Sequence, residues 1–312
     1  MDSEAAARAR AIRTYLAFIV AACMVPAALL GAALIGYDYY HRERARVIHD
    51  SMATARALEA AVDTELAGSR HALLALATSP ALAAGDFAAF HAQATEALKD
   101  QSFVSVVVID ESGHQLMNTL RPYGAELPAQ GNPPELQAIF RTGEAAVTGL
   151  FTGPVAKRPL LAIGVPVRVN GAVRYTLNAG LLPERLGELL GEGRVPAEWI
   201  GAIFDRSGTV VARTHEAKRF VGQKGSAPLV QRMSEVREDA FESTTLEGIP
   251  VLTVFSRSAA SGWTVALGIP QHTLLTQLWY SMARLMLVTI VTLLIALGLA
   301  ILLSGRLVRA GR

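Results

Sequence analysis

Two stretches of this chain repeat one another at a distance of 95 residues. Asp110, Ser112, Gly113 and Thr119 in the apolar segment Phe103 to Thr119 recur as Asp205, Ser207, Gly208 and Thr214 in the segment Trp199 to Thr214. In each copy an acid and a serine open a turn, and the glycine supplies the positive φ that a tight hairpin needs. Each copy therefore reads as strand, turn, strand. A duplicated supersecondary unit restricts the fold to two similar modules in series.

The later parts of the copies agree in kind. Leu160 to Val169 and Ala172 to Gly180 flank Asn170-Gly171, a strong hairpin signal, while Val251 to Phe255 and Trp263 to Ile269 flank a longer turn holding Ser261-Gly262. Both copies then close on a strand ending in glycine, Gly180 or Gly268, with Pro183 or Pro270 shortly after. The expectation is about five antiparallel strands per module, with helices inserted after the first hairpin. That is an α+β fold.

Ahead of the repeat lies a helical pattern. From Asp38 to Thr78 there is no proline and one glycine, and Ile48, Met52, Ala55, Leu58, Val62, Leu66, Ser69, Leu73 and Leu76 recur every three or four residues. Such spacing describes a long helix with one packed seam. The seam suits a helix lying on its own domain, or a stalk that pairs with a second subunit in a homodimer. Ser79-Pro80 ends the pattern, and Asp86 is placed to cap a short helix running to about Lys99.

Two uncharged apolar runs bracket these segments, Tyr15 to Tyr37 and Leu285 to Ser304. At about 1.5 Å rise per residue, each is long enough to cross the roughly 30 Å core of a bilayer. They predict two transmembrane helices in an inner-membrane, multi-pass protein whose large loop is periplasmic or extracellular. Arg8, Arg10 and Arg13 before the first run, and Arg306, Arg309 and Arg312 after the second, place both ends in the cytoplasm.

Composition excludes several classes. A net charge of +2 gives no electrostatic case for nucleic acid, and the single cysteine, Cys23, excludes an intramolecular disulfide. No glycine-rich phosphate loop, HExxH motif or clustered Cys and His occurs, so neither a cofactor nor a metal is expected. His215-Glu216 follows a strand of the repeat and carries no sign of a phosphoacceptor site. No catalytic domain is recognisable.

Two PAS-like modules behind a long helix, with flanking apolar helices, resemble the double Cache sensor domains of bacterial receptors. The runs Ser79-Pro80-Ala81-Leu82-Ala83-Ala84-Gly85-Asp86 and Leu182-Pro183-Glu184-Arg185-Leu186 are similar to the input half of proteobacterial sensor histidine kinases. So are Gly208-Thr209-Val210-Val211-Ala212-Arg213 with Arg219-Phe220-Val221-Gly222, and Leu246-Glu247-Gly248-Ile249-Pro250-Val251 with Ser261-Gly262-Trp263-Thr264-Val265. The resemblance implies a cytoplasmic tail at 1–14, a transmembrane helix at 15–37 and helical packing at 38–100. It further implies a membrane-distal Cache module at 101–192, a membrane-proximal one at 193–278, a second transmembrane helix at 281–304 and the start of a cytoplasmic linker at 305–312. The implied function is sensing of an extracytoplasmic small molecule, with the signal passing through the second membrane helix to a histidine kinase. The alternatives are the input of a diguanylate cyclase or chemoreceptor, and an envelope scaffold that binds a protein.

In proteins of this resemblance the ligand lies in the distal module, between the sheet and the inserted helices. The polar groups expected there are Asn118, Arg121, Tyr123, Lys157, Arg158, Arg174, Tyr175 and Asn178. Guanidinium groups bind both oxygens of a carboxylate, which makes a small carboxylate the expected ligand.

Overall fold

The computed structural model describes residues 2–100, 103–128, 132–191 and 193–271, with 283–284, 286–292, 294–295 and 298 further on. It divides into two units, Ile48–Pro270 and the pair of end segments Met1–Val47 with Gln271–Arg312.

The helical pattern produces α1 (Asp2–Ala77). From Ser51 onward its buried residues are Ser51, Ala55, Leu58, Val62, Leu66, Ser69 and Leu73, three or four apart, as a single inward stripe requires. That stripe packs on the chain's own sheets. The stalk reading, in which the same seam faces a second subunit, does not hold for these residues. Two short helices follow, α2 (Pro80–Ala84) and α3 (Phe87–Ala97). Asp86 caps α3 by accepting a hydrogen bond from the Ala89 amide at 3.0 Å.

The first sheet uses β1 (Ser105–Asp110), β2 (Gln115–Asn118), and, after α4 (Pro134–Thr142), β3 (Ala146–Val147), β4 (Phe151–Thr152), β5 (Pro159–Val169) and β6 (Ala172–Leu181). Helix α5 (Pro183–Gly191) leads to the second sheet, built from β7 (Ile200–Phe204), β8 (Val210–Arg213), β9 (Glu238–Thr244), β10 (Pro250–Arg257) and β11 (Thr264–Pro270). Between β8 and β9 come α6 (Ala217–Phe220) and α7 (Ala227–Glu235). The strand orders correspond: β2-β1-β6-β5-β3, with β4 also on β5, and β8-β7-β11-β10-β9. Every pairing is antiparallel.

The repeat is reproduced bond for bond. The Val106 amide donates to Thr119 Oγ1 at 2.9 Å, and the Gly201 amide to Thr214 Oγ1 at 3.0 Å. Gly113 (φ 88°) and Gly208 (φ 76°) close the two turns in the left-handed region. Both hairpins carry a bulge at the same place, between Val108 and Ile109 and between Ile203 and Phe204.

Each sheet has two unlike faces. The inner faces of both join α1 in one core that holds Val108, Ile163 and Leu177 from the first sheet and Ile203 and Leu267 from the second, with Trp263 just before β11. The outer faces carry separate small clusters. Ile109 and Ala162 pack under Leu136 and Ile139 of α4, and Phe204, Phe255 and Ala266 pack under Leu229 and Met233 of α7. Polar ties fix α1 further: Arg56 pairs with Glu238 of β9 at 2.6 Å, Ser256 donates to Glu59, and Ser258 donates to Asp63 at 2.6 Å.

One set of expectations is corrected. Among the described residues no helix is long and apolar enough to cross a membrane. The transmembrane helix at 15–37, the multi-pass inner-membrane location and signalling through a second membrane helix are therefore not supported. Residues 15–37 do not form a segment of their own but are absorbed into α1, with Pro26 inside it. Of the second run, 281–304, only the stretches named above are described, and the linker at 305–312 lies outside the described residues, as does most of the helix expected from Gln271.

Candidate functional site

On the outer face of the first sheet, beneath α4, lies a cavity of about 50 Å³. One water needs roughly 10–15 Å³ of such space, so the cavity has room for about four. Strand parity explains the floor. Residues two apart on a strand share a face, so Ser105, Val107 and Ile109 of β1, Ala162 of β5 and Asn178 and Gly180 of β6 line it together. The loop after β4, Gly153 to Ala156, and Leu136 of α4 complete the wall.

Its polar groups are amides. Asn118 and Gln115 are three apart on β2 and by simple alternation would face opposite ways. The bulge skips one residue, setting Asn118 opposite Val107 and Gln115 opposite Ile109, so both reach the cavity. Asn118 Nδ2 donates to Gln115 Oε1 at 3.0 Å, Gln115 Nε2 to Asn132 Oδ1 at 3.3 Å, and Asn132 Nδ2 to the Gly113 carbonyl at 2.5 Å. Asn118 Oδ1 accepts from the Leu120 amide at 3.0 Å. No Lys, Arg, Asp or Glu stands among the described residues that line the cavity.

Asn178 differs from the others. It is 2% exposed, and its Nδ2 donates to the Val107 and Thr176 carbonyls at 3.3 and 3.2 Å and to Thr176 Oγ1 at 3.0 Å. Its Oδ1 is buried and has no hydrogen-bond partner among the described residues. A carboxamide oxygen buried in that state loses its hydration without compensation, at a cost of about 1–3 kcal/mol. Gly164, opposite Asn178 on β5, makes the space: a Cβ there would lie 2.5 Å from Asn178 Oδ1 and 2.7 Å from Ile139 Cδ1.

The structure sets the eight sequence-selected residues in different places. Asn118 and Asn178 line the cavity. Arg121 and Tyr123 lie in the exposed loop after β2, where the Arg121 carbonyl is 2.9 Å from His91 Nε2. Lys157 (φ 55°) and Arg158 occupy the exposed turn before β5, Arg158 beside a cleft shared with Pro183 and Lys218. Arg174 is exposed at the start of β6, its guanidinium 6.0 Å from the Tyr175 ring. Tyr175 turns to the inner face and meets Phe87 edge-on at 5.3 Å. Ser105, Gln115 and Asn132 escaped the sequence reading; for Gln115 the signal was its place in the repeat, where its counterpart is Val210.

The second module holds an equivalent cavity of about 60 Å³ under α7. Ile200, Ala202 and Phe204 line it where Ser105, Val107 and Ile109 line the first, and Val210 and Arg213 stand where Gln115 and Asn118 stand. Arg213 is 7% exposed and pairs with Glu247 through Nη1 to Oε1 at 2.6 Å and Nη2 to Oε2 at 2.8 Å. Burial pushes the Glu247 carboxyl up, but the hydrogen bonds from Arg213 and Thr245 outweigh it and hold it below its ordinary range.

No protein-family model and no curated protein matches the chain. Solved structures do. The ligand-binding domain of the Pseudomonas fluorescens chemoreceptor CtaA in complex with L-isoleucine superimposes with a TM-score of 0.59 at 13% identity, over 76% of this chain and 98% of that one. The sensory domain of the Campylobacter jejuni chemoreceptor Tlp3 with isoleucine bound gives 0.57 at 12% identity, over 75% and 97%. The extracellular domain of the putative histidine kinase mmHK1S-Z2 gives 0.57 at 12% identity, over 77% and 99%. At these identities the likeness is one of fold: the chain has the α+β architecture of receptor sensory domains.

Proposed function

We propose that this chain is a sensory input module that binds a small, neutral, hydrogen-bonding solute in the cavity of its first module. The observation that carries the reading is Asn178, a buried amide lining a cavity large enough for several atoms, whose Oδ1 has no hydrogen-bond partner among the described residues. A donor N–H or O–H on the solute would satisfy it. Asn118 and Gln115 supply further polar contacts, and Leu136, Phe151 and Leu160 the apolar ones.

The neighbouring chemoreceptor domains have amino acids bound. A zwitterion or a free carboxylate needs a counter-charge when taken out of water. The lining offers none among the described residues, and Arg121, Lys157, Arg158 and Arg174 stand away from it. We therefore read a neutral solute, with an amide or hydroxyl head group, in place of the carboxylate.

Acetamide and acetate, alike in size and different in charge, test this by isothermal titration of the full chain. Acetamide should bind the first cavity, and Asn178→Leu should weaken it by about tenfold or more, the equivalent of about 1.4 kcal/mol for one lost hydrogen bond. Unchanged acetamide binding in a folded Asn178→Leu protein would falsify the reading. For the output, the likeness of the quoted motifs to sensor-kinase input regions supports a histidine kinase. Fused to a kinase core, the chain should make autophosphorylation depend on the solute, and labelling indifferent to it overturns that assignment.

A further inference from the structure

The two cavities occupy equivalent places but differ in chemistry. At the constant offset of 95, Arg213 replaces Asn118, and across the sheet Ala266 and Phe255 stand where Asn178 and Gly164 stand in the first module. The amide floor of the first cavity is thus apolar in the second. The polar function moves to one buried cation at the rim.

We propose that the cavity of the second module is a separate binding site for a small carboxylate, with Arg213 as its receptor and Glu247 as the displaceable occupant of the anion's place. The guanidinium is prepared for that role. Its Cζ lies 4.4 Å from the centroid of the Phe220 ring, which holds the fork in position while its N–H groups point elsewhere. Nη1 lies 2.6 Å from Glu247 Oε1 in the ion pair, yet it is buried and makes no hydrogen bond among the described residues. Hydroxyl residues Ser226, Ser243, Thr244, Thr245 and Thr253 line the same cavity and can share an anion's remaining lone pairs.

Glu247 is suited to leave. It belongs to the turn between β9 and β10, closed by the Gly248 amide on the Thr245 carbonyl at 3.0 Å, and its side chain is 16% exposed against 4% for Arg213. A rotation outward puts its carboxylate in water and leaves Arg213 buried without a counter-charge. That state is unfavourable unless another anion enters. A carboxylate from solution can meet both Nη1 and Nη2 in the same place. Glu247 in this view acts as a built-in competitor that sets the concentration at which the site fills.

The test is a titration of the full chain with sodium acetate against sodium chloride at equal ionic strength, read by calorimetry. Glu247→Ala should bind acetate at least tenfold more tightly than the unmodified chain. Glu247→Gln, which keeps the side chain's size, should fall between them. Adding Arg213→Gln to Glu247→Ala should abolish the gain. Asn178→Leu should leave it intact, which separates this site from the first. An acetate affinity in Glu247→Ala no greater than in the unmodified chain overturns the proposal, as does a gain that survives Arg213→Gln. If the chain carrying both Glu247→Ala and Arg213→Gln does not fold, acetamide decides in the Asn178→Leu background, where the first site is removed: there Glu247→Ala should prefer acetate over acetamide, and equal binding of the two overturns the proposal.

Discussion

Single residues at matched places do different work in the two modules. Gly164 shows how narrow the tolerance is, since a Cβ there meets Asn178 Oδ1, Ile139 Cδ1 and Leu136 Cδ2, all within 2.8 Å. Gly164→Val should therefore push α4 off the sheet and fill the first cavity. Overpacking of this kind costs about 1–3 kcal/mol, so the chain should remain folded with a lowered melting temperature and no acetamide binding. Acetamide affinity unchanged in that variant would show that the cavity is not where the solute sits. At this scale the sequence was partly legible. Asn118 and Asn178 stood out as polar residues on strands, but Tyr175, three residues before Asn178, must face the opposite side by strand parity, and the inner-face packing on Phe87 follows from that. Gln115 was hidden for the converse reason: only the bulge between Val108 and Ile109 brings it to the same side as Asn118.

Elements were legible where local signals are strong. The hairpins at Asp110 to Gly113, Asn170-Gly171 and Asp205 to Gly208 announced themselves by turn chemistry, and the seam of α1 by its period. β9, with charged and polar residues at Glu238, Asp239, Glu242, Ser243 and Thr244, gave no apolar alternation, because it is an edge strand whose residues are only partly covered. It is held partly by α1. The hydrogen bond from Arg56 is the main cause that lowers the Glu238 carboxyl from its ordinary value, aided by Ser256. A carboxyl that titrates lower when folded adds stability above its unfolded pKa of about 4.3, and that stability is lost as pH falls through the lowered folded value. Thermal stability should thus drop as the pH is taken below about 4, and less steeply in Glu238→Gln. Since the Arg56 side chain is 57% exposed, the difference should be small and should shrink further in high salt. Identical pH profiles for the two proteins at low salt would remove Arg56 and Glu238 from the account of how α1 is held.

The two modules were readable as a duplication, yet nothing in the repeat announced that they share a core. Leu58, Val62 and Leu66 of α1 belong to one buried cluster with Ile163 and Leu177 of the first sheet, Leu267 of the second and Trp263 just before β11. The Leu150 amide of the first module also donates to Asp205 Oδ2 of the second at 3.2 Å. Urea unfolding of the full chain should accordingly show one transition across these two modules, with tryptophan fluorescence and far-ultraviolet circular dichroism coinciding. Two separated transitions of comparable amplitude would mean that the shared cluster does not couple them. The arrangement also determines how occupancy can be felt. Each sheet is a partition one strand thick, with a cavity on one side and the common spine on the other. On β6, Asn178 faces the cavity while its neighbours Leu177 and Ala179 face the spine. Under the proposed function, a molecule in the cavity would press on a strand whose other face packs in the cluster that holds α1.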